Sequence, residues 1–291
     1  MTENRVIEGE LTVGGRVRTF TLRLPSRADS RETTVVLVLH GNVPGTGGAA
    51  MRELTTFDQQ AEARGLAVAY PDGVGGCWAD GRGVTTADEA GVDDVSFLRS
   101  VIAWSAEKLG TSGDRAVVAG MSNGAFMAHR MGAAAGDQVA VIAAVAGGLP
   151  ERLRDDLPAP AHAVSALLIH GTADPMSPLE GGYSRHRGPN GELRGRTLPL
   201  DESAAFWRGA DRCPDVPADK RDTGLSSRTT WTGGHGGTAV SAWTVSGGGH
   251  TWPGSEPWPG FETVTTREFD AAEEICRFAE PLLAPAADRR L

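Results

Sequence analysis

Residues 116–130, AVVAGMSNGAFMAHR, constrain the fold of this chain more than any other stretch. A short apolar run rich in valine leads in, and a run of good helix formers leads out. Between them Ser122 is bracketed by Gly120 and Gly124. A strand that passes directly into a helix brings two backbones close together, and glycine is the residue that permits it. Gly-x-Ser-x-Gly in that setting is the pattern of a nucleophile elbow. The pentapeptide alone says little, because a chain this rich in glycine offers roughly 0.3 matches by chance. The strand before it and the helix after it give it weight.

The rest of the chain repeats the strand–helix rhythm. Residues 18–25 alternate like a half-buried strand, and 33–41 form a continuous β-branched run, as in a strand covered on both faces. Residues 54–65 read as a helix closed by Gly65, followed by a strand that stops at Pro71. Beyond a glycine-rich loop (73–91), residues 93–110 read as a helix. Asp93 and Asp94 are taken as its cap and Gly110 as its stop. The elbow strand and helix 123–135 follow, then strands ending at Gly147 and Gly171. A helix over 200–210, a hairpin over 227–245 and a helix over 266–283 complete the order. Strands alternating with helices predict an α/β fold: a mostly parallel central sheet with helices on both faces and no large separate lid domain. One domain over 1–283 is expected, with 284–291 a frayed tail.

Composition narrows the partners. With 291 residues and 40% hydrophobic content the chain can bury a large core. A net charge of −9 argues against nucleic-acid and anionic-membrane partners. No apolar run approaches the ~18 residues of a membrane span, and the first residues show no signal-peptide pattern, so a cytoplasmic protein is expected, or a secreted one if a leader has been removed. Cys77, Cys213 and Cys276 are too few and too dispersed for a disulfide framework or a zinc site.

A serine hydroxyl needs a base to take its proton, and the base needs an acid to orient it. Downstream of Ser122, SALLIHGTADP places Asp174 just past an apolar strand, and SAWTVSGGGHTWPG places His250 just past another. Both are positions that the carboxyl ends of parallel strands present to a shared crevice. His40 and His170 fall at strand ends and His129 on the elbow helix, which suits structural roles. An oxyanion also needs backbone donors. The N–H after the nucleophile, Asn123, is one. The N–H of Asn42 in LVLHGN is the other, with Gly41 the neighbouring candidate.

At this point the residues resemble a known family. The segments VLVLHGN, AVAYPDGVGGCWADGRG, DDVSFLRSVI, VVAGMSNGAFMAHRM, LIHGTADPMSPLEGG, ESAAFWRGADRC, GGGHTWPG and FDAAEEICRF run in one order from about residue 34 to residue 279. They are similar to those of the poly(3-hydroxybutyrate) depolymerase and feruloyl/acetyl-xylan esterase group of the α/β-hydrolases. The resemblance implies a serine carboxylic-ester hydrolase working through an acyl-enzyme. Ser122 is implied as nucleophile, His250 as base and Asp174 as its orienter, with Asn42 and Asn123 as oxyanion donors. Trp78 and Trp252, with His40 and Gly41, are implied near the substrate, although either tryptophan could equally anchor its loop.

Three departures from the family pattern stand out: no signal sequence or polymer-binding domain is visible, the late hairpin turn TGGHGG carries His235 and no cysteine, and residues 176–196 are altered after the acid. A small-molecule ester, aryl or with a short-to-medium acyl chain, is therefore expected, with no cofactor and no metal. Oligomeric state is open. The rival readings are an acyltransferase or peptidase on the same three residues, and an idle hydrolase fold used for binding.

Overall fold

The computed structural model describes residues 5–26, 33–42, 45, 47–156, 160–185, 187, 191, 193–256 and 263–283. The expected frayed tail (284–291) lies outside these residues, as do His186 and residues 257–262.

Twelve strands are found among the described residues: β1 (Val6–Val13), β2 (Arg16–Arg23), β3 (Val35–Leu39), β4 (Ala67–Pro71), β5 (Ala116–Met121), β6 (Val139–Val145), β7 (Ser165–Gly171), β8 (Gly182–Tyr183), β9 (Arg196–Thr197), β10 (Asp219–Asp222), β11 (Ser226–Thr232) and β12 (Ala239–Val245). The helices are α1 (Gly48–Leu54), α2 (Phe57–Arg64), α3 (Thr86–Glu89), α4 (Asp94–Leu109), α5 (Asn123–Ala134), α6 (Glu151–Asp156), α7 (Leu200–Ala210) and α8 (Ala271–Ala279). Ten strands form one sheet in the order β1-β2-β4-β3-β5-β6-β7-β12-β11-β10, while β8 and β9 pair apart from it. The strands from β4 to β12 run parallel to one another. The flanking β1, β2, β11 and β10 are antiparallel. The expected late hairpin is thus real, but its second strand also joins the parallel sheet through β7.

Successive side chains of a strand point to opposite faces, so a strand buried on both faces must be apolar throughout. In β3, Val35, Leu37 and Leu39 pack with Phe97, Val101 and Ile102 of α4, Met127 and Met131 of α5 and Trp207 of α7. Val36 and Val38 face the other way, onto Met51 of α1, Phe57 of α2 and Ile275 and Cys276 of α8. Each large side chain so buried stabilises the fold by about 1.5–3 kcal/mol.

Helix α4 begins differently from the expected double cap. Asp93 is the N-cap, accepting from Ser96 N–H at 3.0 Å. Asp94 is wholly buried instead, paired with Arg18 at 2.6 Å and accepting from Ala79 N–H at 2.7 Å. A buried charge needs such a partner, and strand β2 supplies it across the sheet edge.

Asp211, just after α7, is also buried. Its Oδ1 accepts from Val164 N–H at 3.0 Å ahead of β7, and its carbonyl accepts from His235 N–H at 2.7 Å in the β11–β12 turn. Burial pushes this carboxyl up to about 7. The folded state therefore holds its proton more tightly than the unfolded chain does. Its contribution is full below the unfolded value near 4 and is lost as pH rises through about 7. Urea titrations of wild type and Asp211→Asn at pH 5, 6, 7 and 8 test this. The wild-type advantage is expected to shrink steadily toward pH 8, and a pH-independent difference would contradict it.

Candidate active site

Ser122 sits where β5 becomes α5, at φ 56° and ψ −117°, a region that side-chain-bearing residues rarely occupy. The strain is held by hydrogen bonds on both sides. Ser122 N–H donates to Val145 O at 2.9 Å, and its carbonyl accepts from Ala125 N–H at 2.9 Å and Phe126 N–H at 3.1 Å, which opens the helix. The two glycines have separate jobs. A Cβ at Gly120 would lie 2.3 Å from Gly124 O, so Gly120 lets the helix fold back over the strand. A Cβ at Gly124 would lie 2.3 Å from Leu39 O and 2.7 Å from His40 O, so Gly124 admits the chain leaving β3. Backbone atoms cannot yield as a side chain can. Gly124→Ala is accordingly expected to destabilise the protein by about 3 kcal/mol or more, read as a fall in the urea midpoint with an unchanged slope.

Asp174 and His250 occupy the carboxyl ends of β7 and β12, which are sheet neighbours. The two loops are stitched together: Ala173 N–H donates to Gly248 O at 2.9 Å, and Gly247 N–H to Thr172 Oγ1 at 2.8 Å. Gly171 makes the approach possible, since a Cβ there would fall 2.2 Å from Gly248 O. Across this seam His250 Nδ1 meets Asp174 Oδ2 at 2.8 Å. The other carboxylate oxygen, Oδ1, accepts from Met176 N–H and Ser177 N–H, each at 2.8 Å. Burial alone would raise the Asp174 pKa, but the His250 hydrogen bond and charge, with the Ser177 N–H, outweigh it and the carboxyl is lowered. The site thus holds an ionised acid with one oxygen locked by backbone and one directed at an imidazole.

The remaining buried histidines are spoken for. His170 Nε2 donates to Ser177 O at 2.8 Å and lies 3.6 Å from Asp174 Oδ2. His129 Nδ1 accepts from Trp207 Nε1–H at 3.0 Å, and burial takes its pKa down to about 4. His40 Nε2 accepts from Gly73 N–H at 2.9 Å, which leaves Nδ1–H to donate to Gly41 O at 2.7 Å. Burial lowers the pKa of His40 and of His170.

Of the four expected substrate contacts, Gly41 lies against the serine. A Cβ built on it would lie 3.4 Å from Ser122 Cβ and 4.0 Å from Ser122 Oγ. Asn42 follows it at partial exposure. His40 uses both ring nitrogens internally and is 2% exposed. Trp78 and Trp252 are 0% and 1% exposed, and Trp252 packs on Phe57 with ring centroids 6.0 Å apart. Both tryptophans anchor their loops and present no open face to a ligand.

One feature at the elbow is not legible in the motif. The Asn123 side chain is fully buried: its Oδ1 accepts from Trp78 N–H at 2.7 Å, and its Nδ2 donates to Trp78 O at 3.1 Å and to Asp80 Oδ2 at 2.6 Å. Asp80 in turn accepts from Arg82 Nη2 at 2.7 Å, and Arg82 lies over the Phe126 ring at 4.0 Å. Only the polar spacing in CWADGRG hinted at this, and such spacing is ordinary for a loop.

Among the described residues no cluster of His, Cys, Asp and Glu is arranged to hold a metal ion, and no helix is long and apolar enough to cross a membrane. Cys77, Cys213 and Cys276 are free, buried thiols.

A mostly parallel sheet with an elbow serine after β5, an acid after β7 and a histidine after β12 defines an α/β-hydrolase. A relative named "Putative esterase NocK", from Nocardia uniformis subsp. tsuyamanensis, is 31% identical over 286 residues, covering 92% of this chain and 81% of its own. The chain belongs to the esterases of the α/β-hydrolase superfamily and is a carboxylic ester hydrolase. No family model matches it. Solved structures agree on the fold. An acetyl xylan esterase from Aspergillus awamori aligns over 94% of this chain and 99% of its own, with a TM-score of 0.62 at 14% identity. The feruloyl esterase module of Clostridium thermocellum, in an S954A mutant complexed with sinapinate, aligns over 86% of this chain and 83% of its own, with a TM-score of 0.53 at 12% identity.

Proposed function

We propose that this esterase works through an acyl-enzyme on Ser122, with His250 as general base and Asp174 as its orienter. The observation that carries the reading is the 2.8 Å contact of His250 Nδ1 with Asp174 Oδ2, at the carboxyl ends of the parallel strands, where Ser122 too is held, at positive φ. With Nδ1–H bound to the carboxylate, Nε2 is the free basic nitrogen. It takes the Ser122 proton as Oγ attacks the ester carbonyl. The oxyanion is received by the N–H groups of Asn123 and of the Gly41–Asn42 turn, worth roughly 10²–10³ in rate for each donor. The alcohol leaves with the proton from His250. Water then loses its proton to His250 and attacks the acyl carbon, and the acid departs as His250 returns that proton to Ser122 Oγ.

The substrate we favour is a small ester with an aryl or short-to-medium acyl group, free of any polymer. Hydrolysis of p-nitrophenyl acetate, butyrate and octanoate and of methyl ferulate, with fluorophosphonate labelling, tests both parts. Turnover of at least one ester and labelling confined to Ser122 are expected. Folded protein that neither turns over nor labels would overturn the reading.

A further inference from the structure

The hydrogen bonds of Trp78 reach both halves of the oxyanion site. Its backbone is clasped at N–H and C=O by the Asn123 side chain, at 2.7 and 3.1 Å. Its indole N–H donates to His40 O at 2.9 Å. Asn123 opens α5, and His40 leads the loop after β3, so the side chain spans from the elbow to the facing loop.

The consequence lies in the peptide planes. In a trans peptide the C=O and the following N–H point in opposite directions. Fixing His40 O on the Trp78 indole therefore turns Gly41 N–H away from Trp78. The next peptide is fixed in the same way, because Gly41 O accepts from His40 Nδ1–H at 2.7 Å and so turns Asn42 N–H away from the imidazole. That imidazole rests against the Trp78 ring, with centroids 4.8 Å apart. Trp78 thus sets the direction of the Gly41 N–H directly, and its ring, together with Gly73 N–H at Nε2, holds the imidazole that sets the Asn42 N–H. Donors aimed in advance at the site of developing charge stabilise the transition state more than the bound substrate.

The segment around Trp78 is itself fastened from several sides. Ala79 N–H is held by the buried Asp94, Thr85 Oγ1–H donates to Trp78 O at 3.0 Å, and Arg130 binds Ala79 O. Asp80, paired with Arg82, fixes the amide of Asn123 so that Nδ2 faces it and Oδ1 faces Trp78.

We propose that Trp78 is a positioning residue that sets the spacing and aim of the two sets of oxyanion donors, with the Asn123 side chain as its clasp. The proposal rests on the serine-esterase reading of the site. It predicts a kinetic signature distinct from that of a substrate contact. Trp78→Phe removes the indole N–H but keeps a ring, and Asn123→Ala removes the clasp but keeps the backbone donor. Each is expected to lower kcat on p-nitrophenyl butyrate by about 10- to 100-fold with KM within about twofold. Affinity for phenylboronic acid, which forms a tetrahedral adduct on the serine, is expected to fall in step with kcat/KM. The double variant is expected to be little worse than either single one, because both release the same donors.

Trp231→Phe serves as the control. It deletes an exposed indole hydrogen bond, to Asp215 O at 3.1 Å, out on β11, and should leave kcat unchanged. Should Trp78→Phe not fold, as read by circular dichroism, Asn123→Ala decides. Variants that melt earlier but keep kcat would overturn the proposal, as would a raised KM at unchanged kcat. Wild-type protein that is folded but inactive and unlabelled by fluorophosphonate overturns the esterase reading itself, a result not to be confused with either.

Discussion

Replacing Ser122 by alanine is expected to lower kcat on p-nitrophenyl butyrate by about 10⁶-fold while the protein stays folded. The size follows from the division of labour in the proposed mechanism. Without Oγ no acyl-enzyme forms, and His250 has no proton to take. What remains is the oxyanion site and substrate binding, which together keep a residual rate of about 10³–10⁴ over water. Stability should hold, because alanine at 122 retains the backbone bonds to Val145, Ala125 and Phe126 and the same positive φ. Equal melting curves with activity gone would separate the chemistry from the fold. A variant retaining even a tenth of the activity would place the nucleophile elsewhere.

The second large effect belongs to Asp174→Asn, expected to lower kcat by about 10⁴-fold. The two backbone donors on Oδ1 decide how the amide must sit. Met176 N–H and Ser177 N–H require an acceptor, so the amide oxygen takes the Oδ1 position and the NH₂ group takes that of Oδ2. His250 Nδ1 then faces a donor where it had an acceptor at 2.8 Å. The imidazole is driven to the tautomer with its proton on Nε2, which cannot accept from serine. A fall in kcat with little change in KM is the expected pattern. Loss of less than tenfold would mean that the 2.8 Å contact does not set the tautomer.

Sequence patterning carried the framework because parallel strands buried on both faces must be apolar throughout, and helices between them end at residues such as Gly65 and Gly110 that can adopt positive φ. Strands β3 to β7 and helix α7 follow that logic. Strand β1 was not seen, since an edge strand with one exposed face mixes Glu8, Glu10 and Thr12 into its run. Strand β10 is polar at every position and rests only on pairing with β11. The short α1 and α6 have too few residues for a period to show.

The candidate site divides in the same way. The places of Ser122, Asp174 and His250 at strand ends are legible because each follows a strong strand signal. The contacts of Trp78, Asp80 and the Asn123 side chain are not. They join residues 45 and 43 positions apart, which no local pattern encodes. Asp94 reads locally as a cap for the same reason, its partner Arg18 lying 76 residues away.

The most direct test of the account is to catch the covalent intermediate. Wild-type protein is mixed with p-nitrophenyl acetate, quenched in acid before a single turnover is complete, digested and analysed by mass spectrometry. The account predicts a burst of p-nitrophenol matching the enzyme concentration and an acetyl group on the peptide that contains Ser122. Turnover without a burst at any substrate concentration and with no adduct, or an acetyl group found on another residue, would contradict it.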